Sequence, residues 1–357
     1  MSTTNKPQIL PIGVDLGSHT LKVAQLCHTE GTTELLASGC AELSGSVEFG
    51  SAHWAAKIGS QLKKILKSGP FKGKAAIVSL PAEATFVQHV KIPKVPAAQQ
   101  LAAIEQEVAT KLPYSIDDAV LQHIVAGEAF GEGDPRQEVI VVCSARKTVE
   151  LCAKMLTRAG LDTQAINIEP CAIVECFARL FRRASDASRT IMFIDMGELT
   201  TQVVFSQGSR IVFARNLKQG GRSLMATASK RLNLEPDQLQ SMRFEILAGR
   251  ETQISPDQLY EAMNEPVDLF AKELLQCVHY YESVFRNQSI ERAIFVGGQA
   301  YDRRLCQMIA RKLNLPAQIG DPLVRVARRE GSNLTTTDPL PNWAVAVGLS
   351  LGGERAA

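Results

Sequence analysis

At 357 residues the chain is long for a single hydrophobic core, so two domains are expected. Apolar residues at 45% and charged residues at 21% exclude a disordered chain, and no stretch approaches the roughly 18 apolar residues that span a membrane. The net charge of +2, with no basic stripe interleaved with aromatics, gives no argument for a nucleic-acid partner, and none is expected.

The densest basic group, Arg325, Arg328 and Arg329, reads as a solvated face. Eight cysteines sit singly, mostly in apolar runs, and read as buried thiols of a reducing compartment. Cys171 and Cys176 share an expected helix without metal-ligand spacing. Met1 to Gln8 is polar and lacks a secretion core, so a cytosolic protein is expected.

The first elements form an antiparallel start: strands over Ile9–Val14, Thr20–Cys27 and Glu34–Leu43, with a polar turn at His28–Thr32. Trp54, Ile58, Leu62 and Ile65 share one face of a helix over Ser51–Lys67. Strands at Ala75–Leu80 and Thr85–Ile92, a helix at Ala97–Leu112, and strands at Ala119–Ala126 and Glu138–Ala145 follow, the last two joined by a loop at Gly131–Pro135. Residues 72–145 therefore read as a compact α+β insert.

A helix over Lys147–Ala159 stops at Gly160, a strand runs over Asp162–Ile168, and Pro170 opens a helix to Arg183. Ala184–Arg189 reads as a linker. Three strands at Thr190–Asp195, Leu199–Ser206 and Arg210–Leu217 then repeat the opening pattern. Helices are expected from Gly221 to Leu232, from Pro236, and along an apolar stripe between Pro256 and Phe285, broken near Pro266. A strand at Ala293–Val296, a helix over Tyr301–Leu313, a strand at Ala317–Ile319, a mobile surface loop over Arg328–Asp338 and a helix over Trp343–Leu351 complete the reading.

Two stretches carry chemistry. In Ile12–Lys22 an apolar strand breaks at Asp15 into a turn of small residues and resumes as a second strand. Gly17 permits a tight turn, and the amides around Ser18, His19 and Thr20, with two hydroxyls, suit an anion; Lys22 adds a positive charge. Asp15 at the strand end suits a magnesium ion held mainly through water. Taken alone, Asp-x-Gly also serves many ordinary hairpins. The same device recurs in Thr190–Val204, where Asp195, Gly197, Glu198, Thr200 and Thr201 follow another apolar strand half a chain later. A third stretch runs an apolar strand into Gly297-Gly298-Gln299, where backbone can pass close to a flat ligand.

Two such hairpins and a late Gly-Gly resemble the superfamily of actin, sugar kinases and seventy-kilodalton chaperones, whose paired domains clamp ATP and Mg2+. Within it the chain most resembles the PilM family of type IV pilus assembly and next the cell-division protein FtsA. That likeness covers nearly the whole length. It rests also on Ile92-Pro93 with Lys111-Leu112-Pro113-Tyr114, on Asn167-Ile168-Glu169-Pro170, on Arg215 to Gly221, and on Ala346-Val347-Gly348-Leu349.

The resemblance implies an α/β fold of actin-like, duplicated ribonuclease H-like type, with an insert in its first domain. Residues 1–71, 146–189 and 340–357 would form domain 1, 72–145 the insert, and 190–339 domain 2. It implies ATP and Mg2+ in the cleft, with Gly220 and Gly221 opening a helix beside the adenosine. Its implied partner is the N-terminal cytoplasmic peptide of a PilN-like membrane protein, in a groove between domain 1 and the insert. Other inner-membrane platform proteins and self-association belong to the same expectation. The basic amphipathic tail usual in FtsA is not found, which favours PilM. A small-molecule kinase would need an aspartate base that the insert does not supply.

Glu169 and Glu175 are the candidates for orienting a hydrolytic water, each also suited to capping or the surface, so ATP binding with slow or no turnover is expected. Glu198 stands where small residues are usual, either contacting metal-bound water or weakening binding. His19 either touches phosphate or faces solvent.

Overall fold

The computed structural model describes residues 7–43, 49–129, 135–181, 186, 188–285, 288–329, 331–334, 336 and 338–352. Most of the expected loop at 131–135 and half of the linker at 184–189 fall outside them.

Strands β1 (Gln8–Leu16), β2 (Thr20–Thr29) and β3 (Thr32–Glu42) form an antiparallel meander. Glu30 and Gly31 turn between β2 and β3 with φ of 50° and 80°, the left-handed geometry of a two-residue hairpin. Strands β4 (Ala75–Leu80) and β8 (Asp162–Ile168) extend the sheet in parallel from β1, giving the order β3, β2, β1, β4, β8. In the second half β9 (Thr190–Met196), β10 (Thr201–Gln207) and β11 (Arg210–Leu217) repeat the meander. With β12 (Ile290–Val296) and β13 (Ala317–Ile319), the order becomes β11, β10, β9, β12, β13. Each sheet thus runs third, second, first, fourth, fifth, and the chain has the duplicated actin-like fold.

Helices cover the first sheet because their apolar stripes match its faces. Trp54, Ile58, Leu62 and Ile65 of α1 (Ala52–Ser68) are buried with Cys152, Met155 and Leu156 of α3 (Arg146–Ala159) on one side. On the other side α4 (Glu169–Ala178) and α10 (Ala344–Leu351) pack together, and every residue of α10 is buried. A Cβ on Gly348 would collide with the Ala172 backbone, and one on Gly13 with Ala346 O. These glycines let helix and strand meet at backbone distance.

Pro11 sits in a bulge of β1, where two residues oppose one on β2. The groups so released are satisfied by Ser350 of α10, whose hydroxyl donates to Pro11 O at 2.7 Å and accepts from Leu26 N at 3.0 Å.

The insert contains a three-stranded sheet in the order β5 (Phe86–Pro93), β7 (Arg136–Ala145), β6 (Ala119–Ala129), covered by α2 (Ala97–Val108). Two expected boundaries need correction. Ala75–Leu80, expected in the insert, pairs between β1 and β8 in the first sheet. The polar run from Arg328, expected as a mobile loop of domain 2, is tied to the first sheet. There β14 (Ala327–Arg328) pairs with β3, Arg329 bonds Glu34, and buried Ser332 accepts from Ser38 through its carbonyl.

The insert also packs on the second half, with β5, β6 and β7 all touching β11. His89 of β5 shares a 2.8 Å hydrogen bond with buried Glu138 of β7 and reaches Ala214 O at 3.2 Å. Tyr280, on α8 (Asn264–Val284), donates to the same carboxylate at 2.6 Å.

The expected long helix splits into α7 (Pro256–Ala262) and α8, with Pro266 in the first turn of α8, where its missing N–H costs nothing. The stripe residues Leu259, Met263, Val267, Phe270, Leu274, Val278, Tyr281 and Phe285 are all buried. The cysteines are free thiols, and Cys40 is exposed rather than buried.

Candidate functional site

The two Asp-x-Gly hairpins meet at one cleft between the halves, with a cavity of about 220 Å³ that opens to solvent. Their geometry matches residue for residue. Asp15 lies opposite Lys22 in the β1–β2 register, and Asp195 lies opposite Gln202 in β9–β10. An added Cβ on Gly17 would press within 2.8 Å of Thr20 O, and one on Gly197 within 2.9 Å of Thr200 O. Both turns therefore need a residue without a side chain.

Asp15, Gly17, Ser18, His19, Thr20 and Lys22 line the cleft from the first hairpin, and Asp195, Gly197, Glu198 and Thr200 from the second. Ser18 and His19 are exposed. Lys22 Nζ lies 3.6 Å from Asp15 Oδ2 and donates to Thr20 Oγ1 at 2.8 Å. Gly297, Gly298 and Gln299 close another side. Gly297 has φ of 86° and passes over Asp195 where a Cβ would collide, whereas Gly298 has open space above it.

Burial sets the electrostatics. It raises the Asp15 carboxyl above its ordinary range against the pull of Lys22. It pushes Asp195 up to about 7, with repulsion from Asp15 adding to the effect. Glu169, at the start of α4, is driven well above the usual range by burial and then by Asp195, Asp15 and Glu83. Its Oε2 accepts a 2.8 Å hydrogen bond from Gln202. Glu175 is not among the cleft-lining residues.

Three expected residues stand behind the cleft wall. Thr201 is buried and donates to Gln219 O at 2.8 Å, because alternation along β10 turns it from the face of Thr200 and Gln202. A Cβ on Gly220 would press on the Glu198 carbonyl, and Gly221 N donates to Gly197 O at 3.0 Å. The start of α5 (Gly221–Leu232) is thus occupied in holding the second hairpin. Glu198 is held as well: it accepts from Gln299 Nε2 at 3.0 Å and lies 3.8 Å from Arg222 Nε.

Gln299 joins a buried network. Arg243 of α6 (Pro236–Leu247) donates to Gln299 Oε1 at 2.6 Å and pairs with Asp302 at 2.9 Å, and Tyr260 donates to Asp302 Oδ1 at 2.8 Å. Cleft residues missed from sequence include Gln202, Glu83 and Phe244, with Pro81 and Ala82 on one side and Pro341, Asn342, Ala344 and Val345 on another. Gln202 had a signal, since it occupies the register position of Lys22. The rest belong to no motif.

A family model described as type IV pilus assembly protein PilM matches residues 13–354. The chain belongs to the PilM family. A solved PilM–PilN type IV pilus biogenesis complex superposes with a TM-score of 0.77 at 19% identity, covering 97% of this chain and 99% of the other. The ethanolamine utilization protein EutJ from Carboxydothermus hydrogenoformans gives a TM-score of 0.57 at 13% identity, covering 98% and 92%. PilM membership displaces the FtsA and small-molecule kinase readings.

The PilM cleft suits a magnesium nucleotide by its donor set. No group of three or more His, Cys, Asp or Glu side chains is arranged to hold a metal among the described residues. Asp15 and Asp195 alone match a magnesium ion that keeps its waters and uses one or two carboxylates with phosphate oxygens. The raised carboxyls would be relieved by a divalent cation, and the bare turns would admit phosphate to the backbone amides. No helix among the described residues is long and apolar enough to cross a membrane.

Proposed function

We propose that this PilM-family chain binds ATP with Mg2+ in the cleft and acts as a nucleotide-dependent scaffold at the cytoplasmic face of the inner membrane, reached through protein partners. The observation that carries this reading is the convergence of two register-matched Asp-x-Gly hairpins on one buried acidic cleft. Asp15 and Asp195 would hold the hydrated cation, while the turns at Gly17–Thr20 and Gly197–Thr200, with Lys22, would take the phosphates. Gly298 and Phe244, 59% exposed at the mouth, offer bare backbone and an aromatic face to the base. Bound magnesium supplies charge neutralisation of the triphosphate.

Turnover is slow or absent in this reading. Glu169 is the acid placed for a hydrolytic role, yet burial and neighbouring carboxyls drive it well above the usual range against the hydrogen bond from Gln202. A general base must be ionised near the working pH.

The partner is the N-terminal cytoplasmic tail of a PilN-like membrane protein, in the groove between the first sheet and the insert. A PilM-family relative is known in a PilM–PilN complex, which supports that choice. The insert is joined covalently to the first half and packed on β11 of the second, so closing the cleft would reshape the groove. Calorimetry with a non-hydrolysable ATP analogue and Mg2+ tests the nucleotide site; no binding at millimolar ligand would sink it. A pull-down with a synthetic PilN tail, with and without nucleotide, tests the partner. Steady-state turnover abolished by Glu169→Ala but not by surface controls would overturn the expectation of slow hydrolysis.

A further inference from the structure

The second sheet ends at β13, and among the described residues no strand pairs with its outer edge. β13 runs parallel to β12, with Ala317 opposite Ala293 and Ile319 opposite Phe295. Ala293 N donates to Pro316 O, and Gly320 N to Phe295 O, so the even-numbered residues here turn their backbone groups inward. Alternation leaves the N–H and C=O of Ala317 and Ile319 directed along the free edge.

A groove of about 780 Å³ lies between this edge and α9 (Arg303–Leu313). Its floor includes Phe295, Cys306 and Leu315, its rim carries exposed Arg303 and Arg311, and no acidic side chain lines it. On neighbouring faces of α9 the cations are neutralised: Arg304 pairs with Asp257 at 2.8 Å and Lys312 with Asp268 at 2.6 Å. Arg303 and Arg311 make no ion pair among the described residues.

We propose that this edge receives an extended acidic peptide from a partner protein, which adds as a further strand beside β13 and sets carboxylates against Arg303 and Arg311. Main-chain bonds to Ala317 and Ile319 would supply affinity, and the two guanidinium groups would select the charge. A second copy of this chain fits poorly. Edge-to-edge pairing of two copies would bring both arginine pairs together, a like-charge clash that an acidic peptide avoids. The edge lies across the sheet from β11, which carries the insert, so this surface is separate from the nucleotide cleft and from the PilN-tail groove.

The test uses the full chain and a blocked peptide of alternating glutamate and valine, followed by fluorescence anisotropy and by amide hydrogen exchange. Expected are binding with slowed exchange over residues 315–320 and unchanged exchange in the hairpins around Gly17 and Gly197. Affinity should fall at least tenfold for Arg303→Glu/Arg311→Glu, and equally for a peptide N-methylated at alternate residues, which leaves the protein untouched. A lysine–valine peptide should ignore the native chain and bind the double variant, whose thermal midpoint should match the native one. The proposal fails if residues 315–320 are not protected at millimolar peptide, or if the lysine peptide binds the native chain as well. Protection that appears with protein concentration alone would also overturn it, by showing a second copy as the occupant.

Discussion

Lys22 Nζ stands 3.6 Å from Asp15 Oδ2, whereas Gln202, at the same register of the second hairpin, turns its amide to Glu169 and gives Asp195 no ion pair of its own. The duplication is geometric but not electrostatic. Burial, and then repulsion from Asp15, pushes the Asp195 carboxyl up to about 7, with only a partial offset from Lys22.

That asymmetry gives a pH dependence in metal-free protein. Between about 4 and 7 folded Asp195 keeps a proton that the unfolded chain has released, so its contribution to stability is full below about 4 and is lost as pH rises through about 7. Each tenfold difference in proton affinity between the folded and unfolded carboxyl is worth roughly 1.4 kcal/mol. Asp195→Asn should therefore stabilise the metal-free chain by about 2–4 kcal/mol at pH 8 and by little at pH 4. Urea unfolding at both pH values measures this. A variant no more stable than the native chain at pH 8 would refute it.

The same carboxylates are expected to hold the cation. Asp15→Ala and Asp195→Ala should each weaken magnesium-dependent ATP binding at least tenfold, about 1.4 kcal/mol, with far-UV circular dichroism unchanged. Unchanged calorimetric affinity in both variants would contradict the proposed metal geometry.

At the junction of insert and second half, His89 and Tyr280 are the partners of buried Glu138. His89→Leu would leave the carboxylate short of one donor, at a cost of about 2 kcal/mol or more. Lys94→Ala, which removes the exposed partner of Glu128, should leave the urea midpoint where it is. Equal changes in the two variants would show that the Glu138 cluster holds nothing together.

Gly348 tests the contact of α10 with α4. An alanine there would drive its Cβ into the Ala172 backbone, which cannot rotate away, so Gly348→Ala should lose about 3 kcal/mol in denaturant unfolding. Gly249→Ala is a control of another kind: it meets no atom within 4 Å, but its φ of 72° should still cost a smaller amount.

Local periodicity and turn chemistry carried most elements from sequence. The hairpins were legible because Asp-x-Gly with hydroxyl neighbours specifies both a turn and a chemistry within a few residues. Sheet membership was not: Ala75–Leu80 reads as a strand anywhere, and only its long-range pairing with β1 and β8 places it. The two-residue β14 hid in a polar run because its pairing with β3 depends on distant backbone, not on its own side chains. Thr201 was misplaced although strict alternation along β10 could have removed it. Glu83, Phe244 and Asn342 reach the cleft only through tertiary folding.

Ser350 fills the hydrogen-bonding gap that Pro11 opens in β1, so this strand is completed by a helix 339 residues further along the chain. During synthesis the first sheet must wait, with its α10-facing side uncovered, until α10 has left the ribosome. The second half, whose sheet closes by β13, can settle sooner, which reverses the order in which the two lobes are translated.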